Sequence, residues 1–215
     1  MKTKKYIIFG LIAISSIAVK AQFGGSGGAG AAPMAALNSG DVTALAKIKS
    51  VNIVYDYSDL GVGAFRKEAD YISKHSEDME KKEKGSSEKF KTDWVNARKT
   101  HYEPKFEEMF KKIGMKEINM DGTNYSTSSE YTLTVHTIFI EPGVNAGIYK
   151  KPSYIDMECT FSDKSGKALC VFYIKNAVGA QATGFDFAVE SRLIESYAKA
   201  AKMLVLCIKK ESKKK

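Results

Sequence analysis

The sequence has 215 residues, of which 33 are lysine or arginine and 25 are aspartate or glutamate, giving a formal net charge of +8. This length allows one domain with a substantial core, or one domain with a large insertion. The excess charge lies mainly at the two ends of the chain, in the first 20 residues and in the lysine-rich C-terminal tail. Nearly all basic residues are lysine, whereas planar recognition of phosphates and bases favours arginine. We therefore expect no nucleic acid partner.

Residues 1–21 have the pattern of a secretory signal peptide, with a basic start, an apolar stretch and a cleavage point after Ala21. The apolar stretch is short for a transmembrane helix, and no later segment approaches about 18 consecutive apolar residues. No cysteine lies near the cleavage point to carry a lipid anchor. We expect an exported protein, periplasmic or secreted, with no transmembrane segment after cleavage. An uncleaved N-terminal anchor is the alternative.

Residues 22–40 are rich in glycine and alanine and are predicted to form a flexible linker, because such a composition buries little apolar surface. A single α/β domain is predicted for residues 41–210, beginning with a short helix near Asp41. A basic tail, residues 211–215, ends the chain.

Residues 51–57 alternate in hydropathy and are predicted to form the first strand. Gly61 and Gly63 follow, before a helical pattern that begins at Ala64. A strand, a Gly-x-Gly turn and a helix invite a dinucleotide-binding interpretation. Arg66 occupies the third glycine position of that motif and is too large for close packing of helix on strand. We therefore interpret this segment as an ordinary βα turn and expect no cofactor.

Residues 64–114 are densely charged and are predicted to form a helical insertion. Gly85 is predicted to break it, and Pro104 and Gly114 to begin and end its last helix. Aromatic and histidine side chains recur along the insertion: Phe90, Trp94, His101 and Phe106. This set either docks the insertion on the body or forms an interaction surface.

Residues 115–120 are predicted to form a short strand, and residues 121–130 and 141–152 to form loops. Three strand-like segments, 131–140, 154–161 and 168–174, alternate in hydropathy. Residues 163–166 have turn chemistry, so the last two segments are predicted to form a hairpin. A long helix with an apolar stripe is predicted from Asp186 to Lys210. The predicted fold is α/β (α+β), a mixed β-sheet with a C-terminal hairpin that the long helix covers, plus the charged helical insertion.

The predicted hairpin register pairs Phe161 with Ala168 and Cys159 with Cys170. Export would place the cysteines in an oxidising compartment, where an opposed pair can form a disulfide. Bridges across neighbouring strands fit awkwardly, so two alternatives stay open: a bridge between Cys159 and Cys170, or three buried thiols.

No catalytic or metal-binding set stands out. His75, His101 and His136 fall on different predicted elements without metal-type spacing. The sequence contains no Gly-x-Ser-x-Gly elbow, no Walker loop and no His-Glu-x-x-His. We therefore assign no catalytic, metal or cofactor-binding residue.

The succession of strand, helix, hairpin and long C-terminal helix resembles the periplasmic α/β domains of bacterial envelope proteins. Examples are the periplasmic domain of the curli-secretion channel and the N-terminal domain of the Tol-system β-propeller protein. The segments that carry the resemblance are 51–57, 131–135, 155–170 and 193–208. The chain lacks a lipid-attachment cysteine, membrane-spanning hairpins and a propeller, so pore formation and Tol-type function are not implied. What the resemblance implies is an exported domain that works by binding.

We therefore expect a non-enzymatic envelope or secreted accessory protein whose partner is another envelope or secreted protein. One alternative is a hydrolase or other enzyme with a site in loops 121–130 and 141–152. Another alternative is a small-ligand binding module.

Overall fold

The computed structural model describes residues 32–124, 129–146, 149–179 and 189–214. Within these ranges the strands are β1 (Met34–Gly40), β2 (Ser50–Asp56), β3 (Gly61–Val62), β4 (Asp121–Asn124), β5 (Thr132–Glu141), β6 (Val144–Ala146), β7 (Tyr149–Lys151), β8 (Tyr154–Ser162) and β9 (Ala168–Val178). The α-helices are α1 (Glu68–Lys82), α2 (Ser86–Ala97), α3 (Glu103–Ile118) and α4 (Val189–Ser212). A 3₁₀ turn (Val42–Lys47) follows β1, and a π-helical turn (Arg98–Tyr102) joins α2 to α3.

Seven strands form one sheet in the order β1-β9-β8-β5-β2-β4, and β3 pairs with β5 beyond the end of β2. The strands β2 and β4 are parallel, and so are β2 and β5, whereas β5, β8, β9 and β1 pair antiparallel. The strands β6 and β7 form a separate two-stranded hairpin. The mixed sheet, its C-terminal hairpin and the long C-terminal helix confirm the predicted fold class.

The helices α3 and α4 lie against one face of the sheet. Helix α4 contacts β1, β8 and β9, and α3 contacts β4 and packs along α4. The side chains of Met157, Phe172, Leu193 and Leu204 are all fully buried at this contact. Burial of one such side chain contributes roughly 1.5 to 3 kcal/mol, so this contact supplies much of the core. The predicted packing of the hairpin on the C-terminal helix is confirmed.

The β8–β9 turn forms where its residues predict it. Asp163 Oδ1 accepts a hydrogen bond from the Ser165 backbone N–H over 2.9 Å, and Gly166 has a φ of +82°, which glycine adopts without strain. The predicted register is wrong by two residues, because a bulge follows the turn: Ser162 faces Ala168, and Phe161 faces Cys170. A shift of two residues leaves every side chain on its predicted face.

The predicted linker ends earlier than the sequence indicates. Met34–Gly40 form β1, which pairs along the outer edge of β9, and Leu37 packs against the core. Backbone pairing to a distant strand orders this segment, and local composition carries no sign of it. The predicted signal peptide and residues 22–31 of the predicted linker lie outside the described residues.

The helical insertion begins and ends four residues later than predicted, and its second part is more continuous. Helix α1 begins at Glu68 rather than Ala64, and the chain passes from α2 into α3 without a break. Helix α3 continues past Gly114 to Ile118 and ends at Asn119, whose φ of +54° closes the helix in the left-handed region. The predicted strand at residues 115–120 is therefore wrong. The predicted loops at 121–130 and 141–152 contain β4, β6 and β7.

Candidate functional site

The face of the sheet that points away from α3 and α4 is the first candidate surface. Its side chains lie at the alternate positions of the four central strands, opposite the buried ones. In the part of the chain that the structure describes, these side chains stay partly exposed, with Val54 at 41%. We call this surface the open face and define it by Val54, Thr134, His136, Glu158, Thr160, Val171 and Tyr173.

One row of the open face is polar. Tyr173 lies opposite Glu158, Glu158 opposite His136, and His136 opposite Asp56, on four successive strands. Burial and a hydrogen bond with Glu158 raise the pKa of the Tyr173 phenol to about 12. The phenol therefore remains protonated at neutral pH and acts as a donor to the carboxylate. This row therefore presents hydrogen-bonding groups at fixed positions across the four strands.

The neighbouring row is apolar at both ends. Val171 lies opposite Thr160, Thr160 opposite Thr134, and Thr134 opposite Val54. A sheet surface that carries an aromatic ring and apolar side chains with few charges among them can serve as a protein interface. We therefore take the open face as the candidate interaction surface.

Four polar residues lie near one another at or beside the open face: His136, Ser58, Asp56 and Glu158. Their hydrogen bonds are not those of a catalytic site. His136 Nε2 lies 2.7 Å from the backbone carbonyl oxygen of Ser58. The Ser58 hydroxyl donates instead to Asp56 Oδ2 over 3.0 Å. The serine oxygen is thus not hydrogen-bonded to the imidazole that would have to accept its proton. The arrangement holds the β2–β3 connection in place rather than activating a nucleophile.

A second candidate lies on the helical side, where a cleft of about 430 Å³ opens between β2 and the π-helical turn. The described residues that line it are Val54, Tyr55, Tyr57, Val95, Asn96, Arg98, Lys99, Glu103 and Asn124. Apolar side chains lie beside convergent polar groups in this cleft, which is the usual make-up of a small-ligand site.

Glu103 lies at the base of the cleft and is only 6% exposed. Tyr57 donates its hydroxyl hydrogen to Glu103 Oε1 over 3.3 Å, and Tyr55 donates to the Glu103 backbone carbonyl over 3.0 Å. Burial raises the pKa of the Glu103 carboxyl, and the hydrogen bond from Tyr57 opposes part of that rise. A buried acid with a shifted pKa in a cleft is a recognised mark of a functional site.

The tyrosines under the cleft belong to a longer hydrogen-bonded chain. The Tyr197 hydroxyl lies 3.1 Å from Thr137 Oγ1, and the Tyr57 and Tyr197 side chains are hydrogen-bonded to each other. Burial raises the pKa of both phenols, that of Tyr197 to about 12. The chain Thr137, Tyr197, Tyr57, Glu103 therefore connects β5, α4, the end of β2 and α3 through protonated hydroxyls.

Arg98 forms one wall of the cleft. Its guanidinium carbon lies 4.2 Å from the centre of the Tyr57 ring, and the group forms an ion pair with Glu68. Trp94 Nε1 donates to the same Glu68 oxygen over 2.6 Å. Arg98 begins the π-helical turn, and such turns re-aim side chains within a helix and often occur at functional sites.

The four residues predicted as an interaction surface do not form one. Trp94 and Phe106 are buried at 8% and 0% exposure, so they cannot contact a partner. Phe90 is partly buried beside Trp94, with ring centres 6.2 Å apart. His101 is exposed, and its Nε2 lies 2.6 Å from Glu190 Oε1. Phe106 packs against Tyr55 of β2, with ring centres 6.0 Å apart, as docking of the insertion on the body would require, whereas Phe90 and Trp94 pack on Tyr71 within the insertion.

The cysteines and the other histidine lie away from both candidate surfaces. All three cysteines are buried thiols, and burial raises the pKa of Cys159 and Cys207. Cys159 faces Phe172 rather than Cys170, so the opposed pair expected from the sequence does not form. His75 packs against Tyr71, with ring centres 4.2 Å apart. The described residues contain no cluster of histidine, cysteine, aspartate or glutamate suited to a metal ion.

Tyr55, Tyr57 and Glu103 were not among the residues that the sequence singles out. The tyrosines could have been found from their position on the inward side of the first strand, because a buried phenol needs a hydrogen-bond partner. In the sequence Glu103 precedes Pro104, a position typical of an exposed residue at the start of a helix. Only the π-helical turn, which local sequence does not reveal, brings it under the cleft.

Of the helices that the structure describes, none combines the length and apolar character needed to cross a bilayer.

No protein-family model and no curated protein sequence matches the chain. Among solved structures, the PelC dodecamer from Paraburkholderia phytofirmans aligns over 80% of this chain and 98% of that chain, with a TM-score of 0.40 and 11% identity. A variant of the same PelC dodecamer with one substitution aligns over the same shares, with a TM-score of 0.37 and 11% identity. Similarity this distant assigns no family and no function. The resemblance to the curli-secretion and Tol-system domains stays a prediction.

Proposed function

We propose that the protein is an exported accessory protein of the bacterial envelope, periplasmic or secreted, that works by binding another protein through the open face. Export rests on the signal-peptide pattern of residues 1–21. A protein partner rests on the chemistry of the open face.

The observation that carries the proposal is the one-sided construction of the sheet. The helices α3 and α4 cover one face, while the outward side chains of β2, β5, β8 and β9 remain partly exposed. Val54, Val171 and Tyr173 supply apolar area there, and Glu158 and His136 supply polar groups between them. An exposed sheet surface of this kind suits a broad protein contact better than an enclosed small molecule.

The enzymatic alternative has less support. The His136 imidazole contacts a backbone carbonyl, and the Ser58 hydroxyl donates to Asp56. Neither contact prepares a nucleophile.

Photo-crosslinking in cells tests the proposal directly. A photoreactive amino acid is placed at Thr160 on the open face, and a matched one at Thr92, which is exposed on α2. We expect a discrete crosslinked protein from position 160 only, and its loss when Val171→Asp is added. Met79→Asp, at a residue 39% exposed on α1, is the control that should leave the crosslink intact. Equal crosslinking from both positions would contradict a role for the open face.

Sequencing of the N-terminus tests export separately. Protein recovered from the periplasmic or culture fraction should begin at Gln22. A chain that retains Met1 and stays with the membrane would favour the uncleaved anchor.

The cleft supports a second candidate function, the binding of a small ligand. The supporting observation is the buried Glu103 carboxyl, with its raised pKa, among the neighbouring groups of Arg98, Lys99 and Asn96. A ligand of this cleft should raise the melting temperature of the wild-type protein but not that of the Asn96→Ala, Lys99→Ala variant. A ligand that stabilises both proteins equally binds elsewhere.

A further inference from the structure

The outer surface of the helical layer is formed by two helices that run in the same direction. Just before α3 begins, His101 pairs with Glu190 in the first turn of α4, and the Tyr102 ring stacks on that of Tyr197, about two turns into α4, with centres 5.1 Å apart. At their ends, Lys209 of α4 pairs with Glu117 of α3. Because the two helices run side by side, lysines of α3 and of α4 can share one surface, although they lie far apart in sequence.

Five exposed lysines on this surface have no ion-pair partner among the described residues. Lys112 lies on α3, whereas Lys199, Lys202 and Lys210 lie on α4 and Lys213 follows it. The positions on α4 are those opposite its buried stripe, so the side chains point away from the sheet. We call these five residues the lysine face.

The acidic residues around the lysine face are largely neutralised within the protein. Glu117 pairs with Lys209, Glu211 with Lys214, and Glu108 with Lys105. Glu195 is exposed on the same side of α4 and has no ion-pair partner among the described residues. Five unpaired cations against one unpaired carboxylate leave a strongly positive surface.

The helices α1 and α2 differ from α4 in that most of their lysines lie in ion pairs, with Lys82 as the exception among the described residues. On α1, Lys74 and Lys81 both lie near Asp78. On α2, Lys89 pairs with Asp93, and Lys91 pairs with Glu88. Most lysines of α1 and α2 are therefore paired within their own helix, whereas those of the lysine face are available to bind a partner.

Two large apolar side chains protrude among these lysines. Met115 on α3 is 48% exposed, and Leu206 on α4 is 41% exposed. Leu206 lies one helical turn from Lys202 and from Lys210, so its side chain emerges between the two cations.

We propose that the lysine face binds the surface of a bilayer that contains anionic phospholipids. Lysine ammonium groups are attracted to a negatively charged lipid surface without specific geometry. Exposed apolar side chains between the cations can enter the boundary between headgroups and acyl chains, as in interfacial helices. A soluble anionic polymer would match the lysines but would leave Met115 and Leu206 unused.

This attachment would leave the open face available. The lysine face lies on the outer side of the helical layer, and the open face lies on the opposite side of the sheet. A bilayer and a protein partner can therefore be bound at the same time.

Vesicle co-sedimentation with the chain from Gln22 onward tests the proposal, since the predicted signal peptide then cannot contribute. Vesicles of phosphatidylcholine alone are compared with vesicles of phosphatidylcholine and phosphatidylglycerol. Binding is expected only to the second kind and should weaken steeply as salt is added. Equal binding to both kinds, or tighter binding to a soluble polyanion than to the anionic vesicles, would overturn the proposal.

Two triple variants with the same change in net charge locate the surface. The variant Lys112→Glu, Lys202→Glu, Lys210→Glu should partition onto anionic vesicles at least about a hundredfold more weakly. The control Lys81→Glu, Lys82→Glu, Lys84→Glu, at exposed residues at and just after the end of α1, should retain most of the binding. Equal losses in the two variants would mean that only net charge matters, and no loss in the first would exclude the lysine face.

A fluorescent reporter tests the orientation independently. The native sequence has a single tryptophan, Trp94, which is buried, so its emission should stay constant. Emission from Leu206→Trp should shift to the blue when anionic vesicles are added, whereas emission from Met79→Trp on α1 should not. A bound protein whose Leu206→Trp emission is unchanged would rule out insertion at this face.

Discussion

The phenol of Tyr57 donates a hydrogen bond to the carboxylate of Glu103 over 3.3 Å, joining the chain just after β2 to the first turn of α3. Both groups are largely buried, and each has its pKa raised chiefly by burial. The contact fixes the position of the π-helical turn over the sheet and gives the cleft its base.

Removing this donor should destabilise the protein. In Tyr57→Phe the Glu103 carboxylate loses its hydrogen bond while it remains buried, and we expect a loss of about 1.5 to 3 kcal/mol in the free energy of unfolding. Urea denaturation at neutral pH measures it. Tyr131→Phe removes the phenol of a partly exposed residue and should cost less than about 0.5 kcal/mol. Similar losses in the free energy of unfolding would show that the Tyr57 hydrogen bond contributes no more than the phenol of a partly exposed residue.

Glu103 should make the stability depend on pH in a defined direction. Its folded-state pKa is above that of the unfolded chain, so between the two values the folded protein holds more protons. Stability is therefore greatest below the unfolded pKa, near 4.5, and falls as the pH rises through the folded pKa. Glu103→Gln removes the ionisation and keeps an acceptor for Tyr57, so we expect a flatter profile above pH about 4.5. Parallel profiles for wild type and variant would contradict this assignment.

The cysteines should remain reduced. Cys159 and Cys170 are fully buried and face phenylalanines rather than each other, and Cys207 is 5% exposed. We expect three thiols to react with Ellman's reagent when unreduced protein is denatured, and almost none in the native protein, because buried thiols with raised pKa react slowly. One reactive thiol after denaturation would indicate a disulfide.

The two faces of the sheet should respond differently to truncation. Phe172→Ala on the buried face should lower the free energy of unfolding by about 3 to 5 kcal/mol, because it removes a buried ring between sheet and helix. Val171→Ala, its neighbour on the open face, should cost less than about 1 kcal/mol, since its side chain is partly exposed. Chemical denaturation of both variants gives the comparison. A large loss in Val171→Ala would mean that something covers the open face.

The C-terminal half of the fold was predictable because its information is local. Period-two alternation marks β5, β8 and β9, and an apolar stripe marks α4, so the buried contact of Met157 and Phe172 with Leu193 and Leu204 follows from the pattern. The predicted register of the β8–β9 hairpin is wrong by two residues, and an error of two residues leaves each side chain on its predicted face.

The remaining features depend on distant contacts. Strand β1 has the composition of a linker and is ordered by pairing with β9. The cleft depends on the turn at Arg98–Tyr102, which re-aims Glu103 toward Tyr55 on β2 and Tyr57 just after it. The lysine face depends on the parallel arrangement of α3 and α4, which is set by the strands between them. None of these contacts leaves a signature in a short window of sequence.

The pairing of β1 with β9 has a consequence for the order of assembly. Residues near the start of the domain, such as Ala36, must wait for their partners around Tyr173, which leave the ribosome much later. Long-range closure of this kind is slow, so the sheet would stay unfinished along one side until nearly the whole chain has arrived. Under the proposed export, such a delay keeps the polypeptide unfolded enough to pass a translocation channel until nearly all of it has crossed.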